Sequence, residues 1–315
     1  MKAMVFTKYG SPDVLQQTEV VKPTPEADEL LVRVMATAVN QADNHILGGS
    51  LRFRTGLFKP KQRILGSDVA GVVEAVGDNV TQFQPGDAVF GDLSAVGWGG
   101  FAEFVAAPEN VWVLKPANLS FAAAAAVPMT AVTALQGLRD KGNLQPGQRV
   151  LINGASGGVG TFAVQIAKVL GGEVTAVVST RKLEMARSLG ADHTIDYTQE
   201  DFSQAGQSYD LIFDTVGNRS VAEYERALVE NGRFVTTTFL PALLWPRPNR
   251  SQKMVNMLAR PNQRDLAFLA AQLAAGQVTP VIDRCFPLAE APTALRYLAA
   301  GHARGKVLIT MQARQ

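Results

Sequence analysis

One glycine-rich turn decides the fold of this chain: Gly154-Ala155-Ser156-Gly157-Gly158-Val159-Gly160. It follows an apolar run over residues 149–152, which predicts a buried strand, and precedes an amphipathic run over residues 160–170, which predicts a helix. Glycine allows positive φ angles and close approach of the backbone to a ligand, and the first N–H groups of a helix attract anions. The turn therefore predicts a pyrophosphate site, with a strand-to-helix turn that binds nothing as the alternative.

The turn lies within a series of alternating strands and helices. Beyond it, apolar strands are predicted at residues 174–178, 193–197, 210–213 and 234–236, and a helix is predicted at residues 183–189. Nearly continuous apolar strands that alternate with helices indicate a parallel sheet covered on both faces. This context favours the ligand-binding interpretation, because the surrounding strands and helices are what confirm such a motif.

The two ends of the chain show a different pattern. In the N-terminal third, short β-rich runs alternate with turns, for example at residues 30–35 and 69–76. The tail predicts a helix at residues 265–274, a strand at residues 278–287, a second helix and a closing strand at residues 306–309. Such a tail can return to the first domain, which makes that domain discontinuous in sequence.

Length and composition exclude several classes of protein. The chain has 315 residues, enough for about two domains, and 47% of them are hydrophobic, which excludes a disordered protein. A net charge of +2 gives no bulk attraction to nucleic acid or to a membrane surface. The uncharged run at residues 118–138 is rich in alanine and contains Pro128, so it predicts a buried helix. The single cysteine, Cys285, cannot form an internal disulfide. We therefore expect a soluble, cytoplasmic protein that binds neither nucleic acid nor a membrane.

The end of the second strand of this series decides which dinucleotide fits. An NAD site normally has an acidic residue about 20 residues beyond the glycines, where it binds the ribose 2′-hydroxyl. Here the stretch is Ser179-Thr180-Arg181-Lys182, and no carboxylate precedes Glu184. Hydroxyl and cationic side chains can bind a 2′-phosphate, at about 1.5–3 kcal/mol for a charge-assisted hydrogen bond. We therefore predict that NADPH binds at least about tenfold more tightly than NADH. In the alternative interpretation, Arg181 and Lys182 are ordinary surface residues.

A set of short segments occurs in one order along nearly the whole chain. The segments are Val39-Asn40-Gln41-Ala42-Asp43, Gly66-Ser67-Asp68-Val69-Ala70-Gly71-Val72-Val73, Val76-Gly77, Pro85-Gly86-Asp87-Ala88-Val89, Pro128 with Thr133-Ala134, the glycine turn, Leu189-Gly190-Ala191-Asp192, Phe213-Asp214-Thr215-Val216-Gly217 and Gly305-Lys306-Val307. Together they resemble the medium-chain dehydrogenase/reductase superfamily, and within it the zinc-independent quinone oxidoreductases (zeta-crystallin-like). Each segment alone is weak, but the ordered set is specific.

The resemblance implies an α/β fold in which a Rossmann domain, a doubly wound parallel sheet, is inserted into a GroES-like, β-rich catalytic domain. It assigns residues 1–120 to the first part of the catalytic domain, residues 121–258 to the NADPH-binding Rossmann domain and residues 259–315 to the closing part of the catalytic domain. It also implies a homodimer formed through edge strands of the cofactor domain.

The resemblance also bears on metal use. Zinc-dependent relatives carry a cysteine near the position of Asn40 and a His-Glu pair just after the glycine matched by Gly66. This chain has Ser67 and Asp68 there, and its three histidines do not restore a set of nitrogen and sulfur ligands. The resemblance therefore implies hydride transfer from NADPH to a small-molecule quinone or α,β-unsaturated carbonyl without zinc. Two alternatives stay open: an NADPH-binding regulatory or structural protein with little turnover, and a zinc alcohol dehydrogenase.

Asn40 and His45 are predicted to be catalytic. Asn40 and Asp43 match an Asn-x-x-Asp segment that lines the nicotinamide pocket in relatives. The Asn40 amide can donate to the substrate oxygen or to the carboxamide, while Asp43 is expected to fix the local backbone. Relatives often place a tyrosine two residues further on, where this chain has His45, which can donate a hydrogen bond or a proton near neutral pH. A structural loop histidine, with the proton supplied by solvent, is the alternative.

Further residues are predicted from the resemblance to contact the cofactor. Thr133 matches the threonine that contacts the nicotinamide, although a helical threonine can also bond back to its own helix. Tyr197 ends the third strand, where relatives reach the adenosine phosphate or the adenine, and a half-exposed aromatic residue at a strand end is the alternative. Val216 and Gly217 follow the fourth strand and are expected to lie against the ribose.

Overall fold

The computed structural model describes residues 1–50, 52–244 and 251–311, and the chain divides into two compact units. Unit 1 consists of Met1–Met129, Pro261–Ala275 and Pro280–Gln315, and unit 2 of Thr130–Arg260 with Gly276–Thr279. The chain passes from one unit to the other at 129/130 and 260/261, where the predicted boundaries are 120/121 and 258/259, and the short segment Gly276–Thr279, predicted to belong to the catalytic domain, belongs to unit 2. The first junction lies later because the helix that follows residue 120 packs on strands of unit 1.

The strands are β1 (Lys2–Val5), β2 (Gln16–Glu19), β3 (Glu29–Val39), β4 (Asp68–Val76), β5 (Ala88–Asp92), β6 (Phe104–Pro108), β7 (Trp112–Leu114), β8 (Arg149–Asn153), β9 (Glu173–Val178), β10 (His193–Asp196), β11 (Tyr209–Asp214), β12 (Leu228–Thr236), β13 (Lys253–Asn256), β14 (Ile282–Pro287) and β15 (Lys306–Thr310). The α-helices are α1 (Gln41–Leu47), α2 (Arg52–Thr55), α3 (Phe121–Ala125), α4 (Pro128–Leu135), α5 (Gly158–Val169), α6 (Leu183–Ser188), α7 (Val221–Arg226), α8 (Gln263–Ala274) and α9 (Ala291–Ala299).

Unit 2 is built on a six-stranded parallel sheet with the order β10-β9-β8-β11-β12-β13. The chain leaves β8 towards β9 on one side and later returns to β11 on the other, so the strand order reverses between β8 and β11. This is the order of the Rossmann fold, and it confirms the predicted doubly wound parallel sheet. The edge strand β13 is not predicted from the sequence, because it is only four residues long and its two apolar residues, Met254 and Val255, are adjacent instead of alternating.

Unit 1 is built on a seven-stranded sheet with the order β14-β15-β3-β4-β5-β7, and β6 also pairs with β3. The long strand β3 shares one edge between two partners: Glu29–Arg33 pairs with β6, while Ala36–Val39 pairs with β15. The C-terminal strand β15 therefore completes a sheet begun by the N-terminal residues. The tail returns to the first domain, as the sequence predicts, and the architecture agrees with the GroES-like domain that the resemblance implies.

The alanine-rich segment at 118–138 differs from the single buried helix that the sequence predicts. The segment forms α3 and α4, separated at residues 126 and 127, and continues as a π-helical stretch from Gln136. Ser120 caps α3, since its Oγ accepts a hydrogen bond from the N–H of Ala123 at 3.1 Å. Pro128 begins α4, because proline fits the first turn of a helix and interrupts any helix that precedes it. Among the described residues, no helix has both the length and the apolar character needed to cross a membrane.

Candidate active site

The glycine turn of unit 2 connects β8 to α5. Gly154 has φ +83°, which favours glycine, and a Cβ atom at residue 160 would overlap the carbonyl oxygen of Gly154. Gly157 precedes the helix in an extended conformation, and no side chain of the described residues caps the first turn. The first N–H groups of α5 therefore keep their capacity to bind an anion, as the sequence predicts for a pyrophosphate.

The residues of the turn differ in exposure. Ala155 and Ser156 are buried, while Gly157, Gly158 and Val159 are partly exposed. A Cβ atom at residue 157 would meet only the oxygen of Gly154, at 3.6 Å, so there is open space beside this residue. Solvent and ligands can thus reach the backbone at the start of α5, whereas the side chains of residues 155 and 156 anchor the turn in the unit.

A buried carboxylate organises the loop after β11. Asp214 is fully buried and accepts hydrogen bonds from Asn153 Nδ2 (2.7 Å), the Tyr224 hydroxyl (2.9 Å) and Thr236 Oγ1 (2.7 Å). It also accepts from the N–H of Gly217, at 3.0 Å to Oδ2. Burial and the neighbouring Asp214 raise the pKa of the Tyr224 hydroxyl far above its ordinary value, so this hydroxyl stays a donor.

The same carboxylate holds the two residues predicted to contact the ribose. The N–H of Val216 lies 3.4 Å from Asp214 Oδ1, and Gly217 has φ +70°. A Cβ atom at Gly154 would contact Thr215 and Val216, so this loop packs directly on the glycine turn. Val216 is 47% exposed, whereas Asp214 is fully buried. The sequence did not assign a role to Asp214, although an aspartate that ends an apolar strand is a visible signal.

The tips of β9 and β10 contain an acidic residue that the sequence analysis missed. Asp196 ends β10 in register with Val178 of β9, and its Oδ2 accepts a hydrogen bond from the hydroxyl of Thr180. Its Oδ1 accepts from the hydroxyl (2.7 Å) and the N–H (3.0 Å) of Thr198. Hydrogen bonds from Thr180 and Thr198 hold the pKa of Asp196 below its usual 3.8. The acid of a dinucleotide site is expected at the end of β9, whereas Asp196 ends the neighbouring parallel strand β10 at the same edge of the sheet.

The other residues predicted at this edge lie near one another. Ser179 is partly exposed and precedes a short helical turn, Thr180–Lys182, in which Arg181 is exposed and Lys182 half-buried. Tyr197 is 54% exposed, and its N–H donates to the carbonyl of Val178. The sheet thus brings Ser179, Thr180, Arg181, Lys182 and Tyr197 to the tips of two neighbouring strands. Thr133 lies elsewhere in unit 2, half-buried on α4.

In unit 1, the end of β3 and the start of β4 form a buried polar cluster. Asp43 Oδ2 accepts from the N–H of Asn40 (2.7 Å), and its Oδ1 accepts from the N–H of Gly66 (3.0 Å). Asp43 thereby connects the start of α1 to the segment before β4. It holds the local backbone, as expected from the sequence analysis. Burial raises the pKa of Asp43 to about 7. Gly66 has φ +88° and a Cβ atom there would strike the ring of Phe101.

Lys306 joins this cluster, and the sequence analysis assigned no role to it. Its Nζ donates to Asn40 Oδ1 at 2.7 Å and to Asp68 Oδ2 at 3.1 Å. The Asn40 Nδ2 group donates to Asp68 Oδ2 (3.0 Å) and, over a longer distance of 3.4 Å, to Ser67 Oγ. The Asn40 amide is therefore engaged inside unit 1, and a substrate oxygen would have to take the place of Ser67. A lysine that opens an apolar strand was the available signal.

His45 does not join this cluster. It lies on α1 and is exposed, whereas Asn40 is only 5% exposed. Its carbonyl oxygen accepts a hydrogen bond from the N–H of Ser50 at 3.0 Å. The structure therefore separates the two residues predicted to be catalytic: Asn40 is buried among polar partners, and His45 faces solvent within unit 1.

The positions of the zinc ligands in relatives are occupied by Asn40, Ser67 and Asp68. In the described part of the chain, no three His, Cys, Asp or Glu side chains come together in a group that could hold a metal ion. An amide oxygen, a hydroxyl and one carboxylate, with an ammonium group between them, are not the nitrogen and sulfur set that catalytic zinc requires. The residues present do not fit a zinc ion.

Comparisons with known proteins agree with this architecture. Residues 26–117 match the family model of the alcohol dehydrogenase GroES-like domain, and residues 189–309 match that of zinc-binding dehydrogenases. The 2-methylene-furan-3-one reductase of Solanum lycopersicum is 37% identical over 98% of this chain and 79% of its own length. The NADPH-dependent alkenal/one oxidoreductase of Arabidopsis thaliana is 35% identical over the same shares of the two chains.

Solved structures show the same relationship. The quinone oxidoreductase from Coxiella burnetii superposes with a TM-score of 0.90 at 30% sequence identity, and the match covers 99% of each chain. Similarity thus extends over the whole length, including both units and the segments quoted from the sequence. This chain belongs to the quinone oxidoreductase family of the medium-chain dehydrogenases/reductases.

Proposed function

We propose that this protein is an NADPH-dependent reductase that transfers hydride to a quinone or an α,β-unsaturated carbonyl compound without zinc. The observation that carries the proposal is the uncapped start of α5, together with the strand tips that present Ser179, Arg181 and Lys182 at the edge of the same sheet. Anions bind at uncapped helix starts, and cationic side chains bind phosphate groups.

The residues of unit 2 fit a phosphorylated dinucleotide. The backbone of Gly157, Gly158 and Val159 would hold the pyrophosphate, and the loop at Val216 and Gly217 would lie against the ribose. When bound, NADPH supplies a hydride to an electron-poor acceptor, and a proton from water completes the two-electron reduction. Thr133 and Tyr197 are proposed to contact the nicotinamide and adenosine ends, respectively.

The cofactor preference is tested by direct titration. NADPH is expected to bind at least about tenfold more tightly than NADH. Arg181→Ala should weaken NADPH binding and leave NADH binding unchanged, because the guanidinium group can pair only with the 2′-phosphate. Fluorescence titration of both cofactors measures this, and equal dissociation constants for NADPH and NADH in the unaltered protein would contradict the proposal.

Asp196 limits this preference, because it brings a negative charge close to the proposed phosphate site. Its carboxylate accepts a hydrogen bond from the hydroxyl of Thr180, which lies between Ser179 and Arg181 in the sequence. Asp196→Asn is therefore expected to tighten NADPH binding by about fivefold with little effect on NADH. Glu184→Gln is the control, since Glu184 is an exposed acid of the neighbouring helix α6. Equal changes in the affinities for the two cofactors would show that Asp196 acts only on the local structure.

The class of acceptor is tested by turnover. Relatives of this chain are named as a 2-methylene-furan-3-one reductase, an alkenal/one oxidoreductase and a quinone oxidoreductase. Purified protein should oxidise NADPH when it is given a quinone, an alkenal or an enone, without added metal. Loss of absorbance of the reduced nicotinamide measures this reaction. No turnover with any acceptor of a broad panel would refute the reductase.

Asn40 is the residue that we propose to face the acceptor. The Asn40 Nδ2 group donates to Ser67 Oγ over a long distance of 3.4 Å, and it could donate this hydrogen bond to a substrate oxygen instead. Asn40→Ala should therefore lower kcat/KM by about 100-fold and leave the dissociation constant of NADPH within about twofold. Equal losses in both quantities would place Asn40 in cofactor binding only.

A second candidate function is an NADPH-binding regulatory or structural protein with little turnover. It is favoured by the exposure of His45, which lies apart from the buried Asn40, and by the internal partners that already engage the Asn40 amide. Tight NADPH binding without turnover would distinguish this function from the reductase.

We also propose a cytoplasmic homodimer, paired through an edge strand of the unit 2 sheet. The strand β13 lies at the end of the strand order, and Val255 within it is 37% exposed. Sedimentation of the purified protein should give twice the chain mass of 33.7 kDa. Val255→Lys should give a monomer, because a charge at this edge opposes pairing of two strands.

A further inference from the structure

Lys306 is a buried cation in unit 1. Its side chain is 2% exposed, and that of its partner Asp68 is fully buried. A lysine is seldom buried unless its charge is compensated, because removal of an ammonium group from water is costly. Here the compensation comes from Asp68 Oδ2 at 3.1 Å and Asn40 Oδ1 at 2.7 Å.

These contacts fix the orientation of the Asn40 amide. An ammonium group can only donate hydrogen bonds, and an ionised carboxylate can only accept them. The amide oxygen must therefore face Lys306, and the amide nitrogen must face Asp68 and Ser67. Lys306 and Asp68 together determine which way the predicted catalytic amide points.

The surroundings of Lys306 coincide with the positions of metal ligands in zinc-dependent relatives. Those ligands lie near Asn40 and just after Gly66, and the residues found there all contact either the Lys306 ammonium or each other. The chain also matches a family model described as that of zinc-binding dehydrogenases. The residues at those positions thus lie around a positively charged group of the chain itself.

We infer that the ammonium group of Lys306 takes the place of the catalytic metal in this chain, excludes a divalent cation from it and holds Asn40 in position. Lys306 is a positioning residue, since it acts through the Asn40 amide. Its charge also interacts with Asp43 and Asp92, two further carboxyl groups that are buried near Asp68. A divalent cation added beside the ammonium group would meet electrostatic repulsion at short range.

The metal part of the inference is tested with a pair of variants that differ only at Lys306. Asn40→Cys with Ser67→His rebuilds two ligands of the zinc-dependent pattern beside Asp68, and the same pair with Lys306→Ala also removes the ammonium group. We expect the variant without the lysine to bind zinc at least about 100-fold more tightly, as measured by competition with a chromogenic chelator. Equal zinc affinities of the two variants would overturn the inference.

The unaltered protein provides a second test that does not depend on the folding of any variant. After incubation with excess zinc chloride and gel filtration, elemental analysis should find much less than one zinc per chain, and zinc should not raise the melting temperature. One bound zinc per chain that is removed by a chelator together with a drop in melting temperature would show that Lys306 does not exclude the metal.

The positioning role rests on the proposed reductase function and is tested by kinetics. Lys306→Met keeps the length of the side chain and removes its charge, so kcat should fall by about 10- to 100-fold. The dissociation constant of NADPH should stay within about twofold, because the proposed cofactor residues belong to unit 2. Lys22→Met is the matched control, since Lys22 forms an exposed ion pair with Glu74 in the same unit.

The outcomes separate the two proposals. A folded Lys306→Met protein with unchanged kcat would refute the positioning role, whereas an unaltered protein with no turnover would refute the reductase and leave the zinc experiments to decide on Lys306. If Lys306→Met does not fold, Lys306→Gln is measured instead. It removes the charge and keeps a single neutral donor group, so a fall in kcat with NADPH affinity unchanged is again expected, and wild-type kcat would refute the role.

Discussion

Asp43 shows how burial controls the protonation of a single residue. The side chain is fully buried in unit 1, and burial raises the pKa of its carboxyl group to about 7, although two backbone N–H groups donate to it. Because the pKa is about 3.8 in the unfolded chain, the folded state binds more protons between pH 4 and pH 7. This contribution to stability is complete below pH 4 and is lost as the pH rises through 7.

Asp43→Asn should therefore change the pH dependence of stability. The unaltered protein should lose up to about 4 kcal/mol of unfolding free energy from this group between pH 4 and pH 7, and Asp43→Asn should lose less over the same range. The variant is also expected to be about 1–3 kcal/mol less stable at low pH, because an amide NH2 would face one of the two backbone donors. Urea unfolding at several pH values measures both effects.

The control is Asp78→Asn, since Asp78 is exposed in the same unit. It should reproduce the pH dependence of the unaltered protein. Carboxyl groups whose pKa is lowered, such as Asp196 and Asp192, lose their contribution only below about pH 4. Burial raises the pKa of Asp92 to about 6, so Asp92 also contributes within the window, but it is present in the unaltered protein and in both variants. An unchanged slope for Asp43→Asn would mean that Asp43 is ionised in the folded protein at pH 4.

Asp214 illustrates the opposite arrangement, a buried carboxylate surrounded by donors. Tyr224→Phe removes one of these donors and should lower the unfolding free energy by about 1.5–3 kcal/mol, because hydrogen bonds to charged groups are the strong ones. Tyr209→Phe is the matched control: Tyr209 is also buried, but its hydroxyl donates to the neutral Gln207 at 3.0 Å. The control should cost about 0.5–1.5 kcal/mol, and equal costs would contradict this difference.

At the scale of elements, two glycines of the turn between β8 and α5 are expected to affect different properties: Gly160 the stability of the protein and Gly157 the binding of NADPH. Gly160→Ala should destabilise the protein by about 1–3 kcal/mol, because a methyl group at residue 160 overlaps the carbonyl of Gly154. Gly157→Ala should leave the melting temperature nearly unchanged, since its φ of −83° suits any residue and the space beside it is open. It should nevertheless weaken NADPH binding, because the methyl group lies at the start of α5. Thermal unfolding and cofactor titration check the pair.

At the scale of the whole molecule, the C-terminal strand β15 completes the sheet of unit 1. It lies between β14 and β3, and Val307, Leu308 and Ile309 are fully buried. Amide hydrogens at these residues should exchange as slowly as those of β3, whereas the exposed strand β2 should exchange at least about 100-fold faster. Hydrogen exchange followed by mass spectrometry measures this. Fast exchange in β15 would show that the tail is not an integral part of unit 1.

Much of this molecule could be predicted from local sequence. The glycine turn, the parallel strands around it and the returning tail follow from periodicity and from the conformational demands of glycine, which are properties of neighbouring residues. The alanine-rich segment was predicted as one helix because composition alone does not show that one helix ends before Pro128 and a second begins there. The edge strand β13 could not be predicted, because its four residues show no alternation of apolar and polar side chains.

The amino-acid sequence alone determined the fold class, the family and the position of the dinucleotide motif, because these depend on patterns within short stretches of chain. Only the tertiary structure decided which charged groups meet. Asp196 reaches Thr180 across two strands, and Lys306 reaches Asn40 and Asp68 from the far end of the chain. Such contacts join residues that are distant in sequence, and the electrostatic energy of a buried group depends on every neighbour that the fold brings to it.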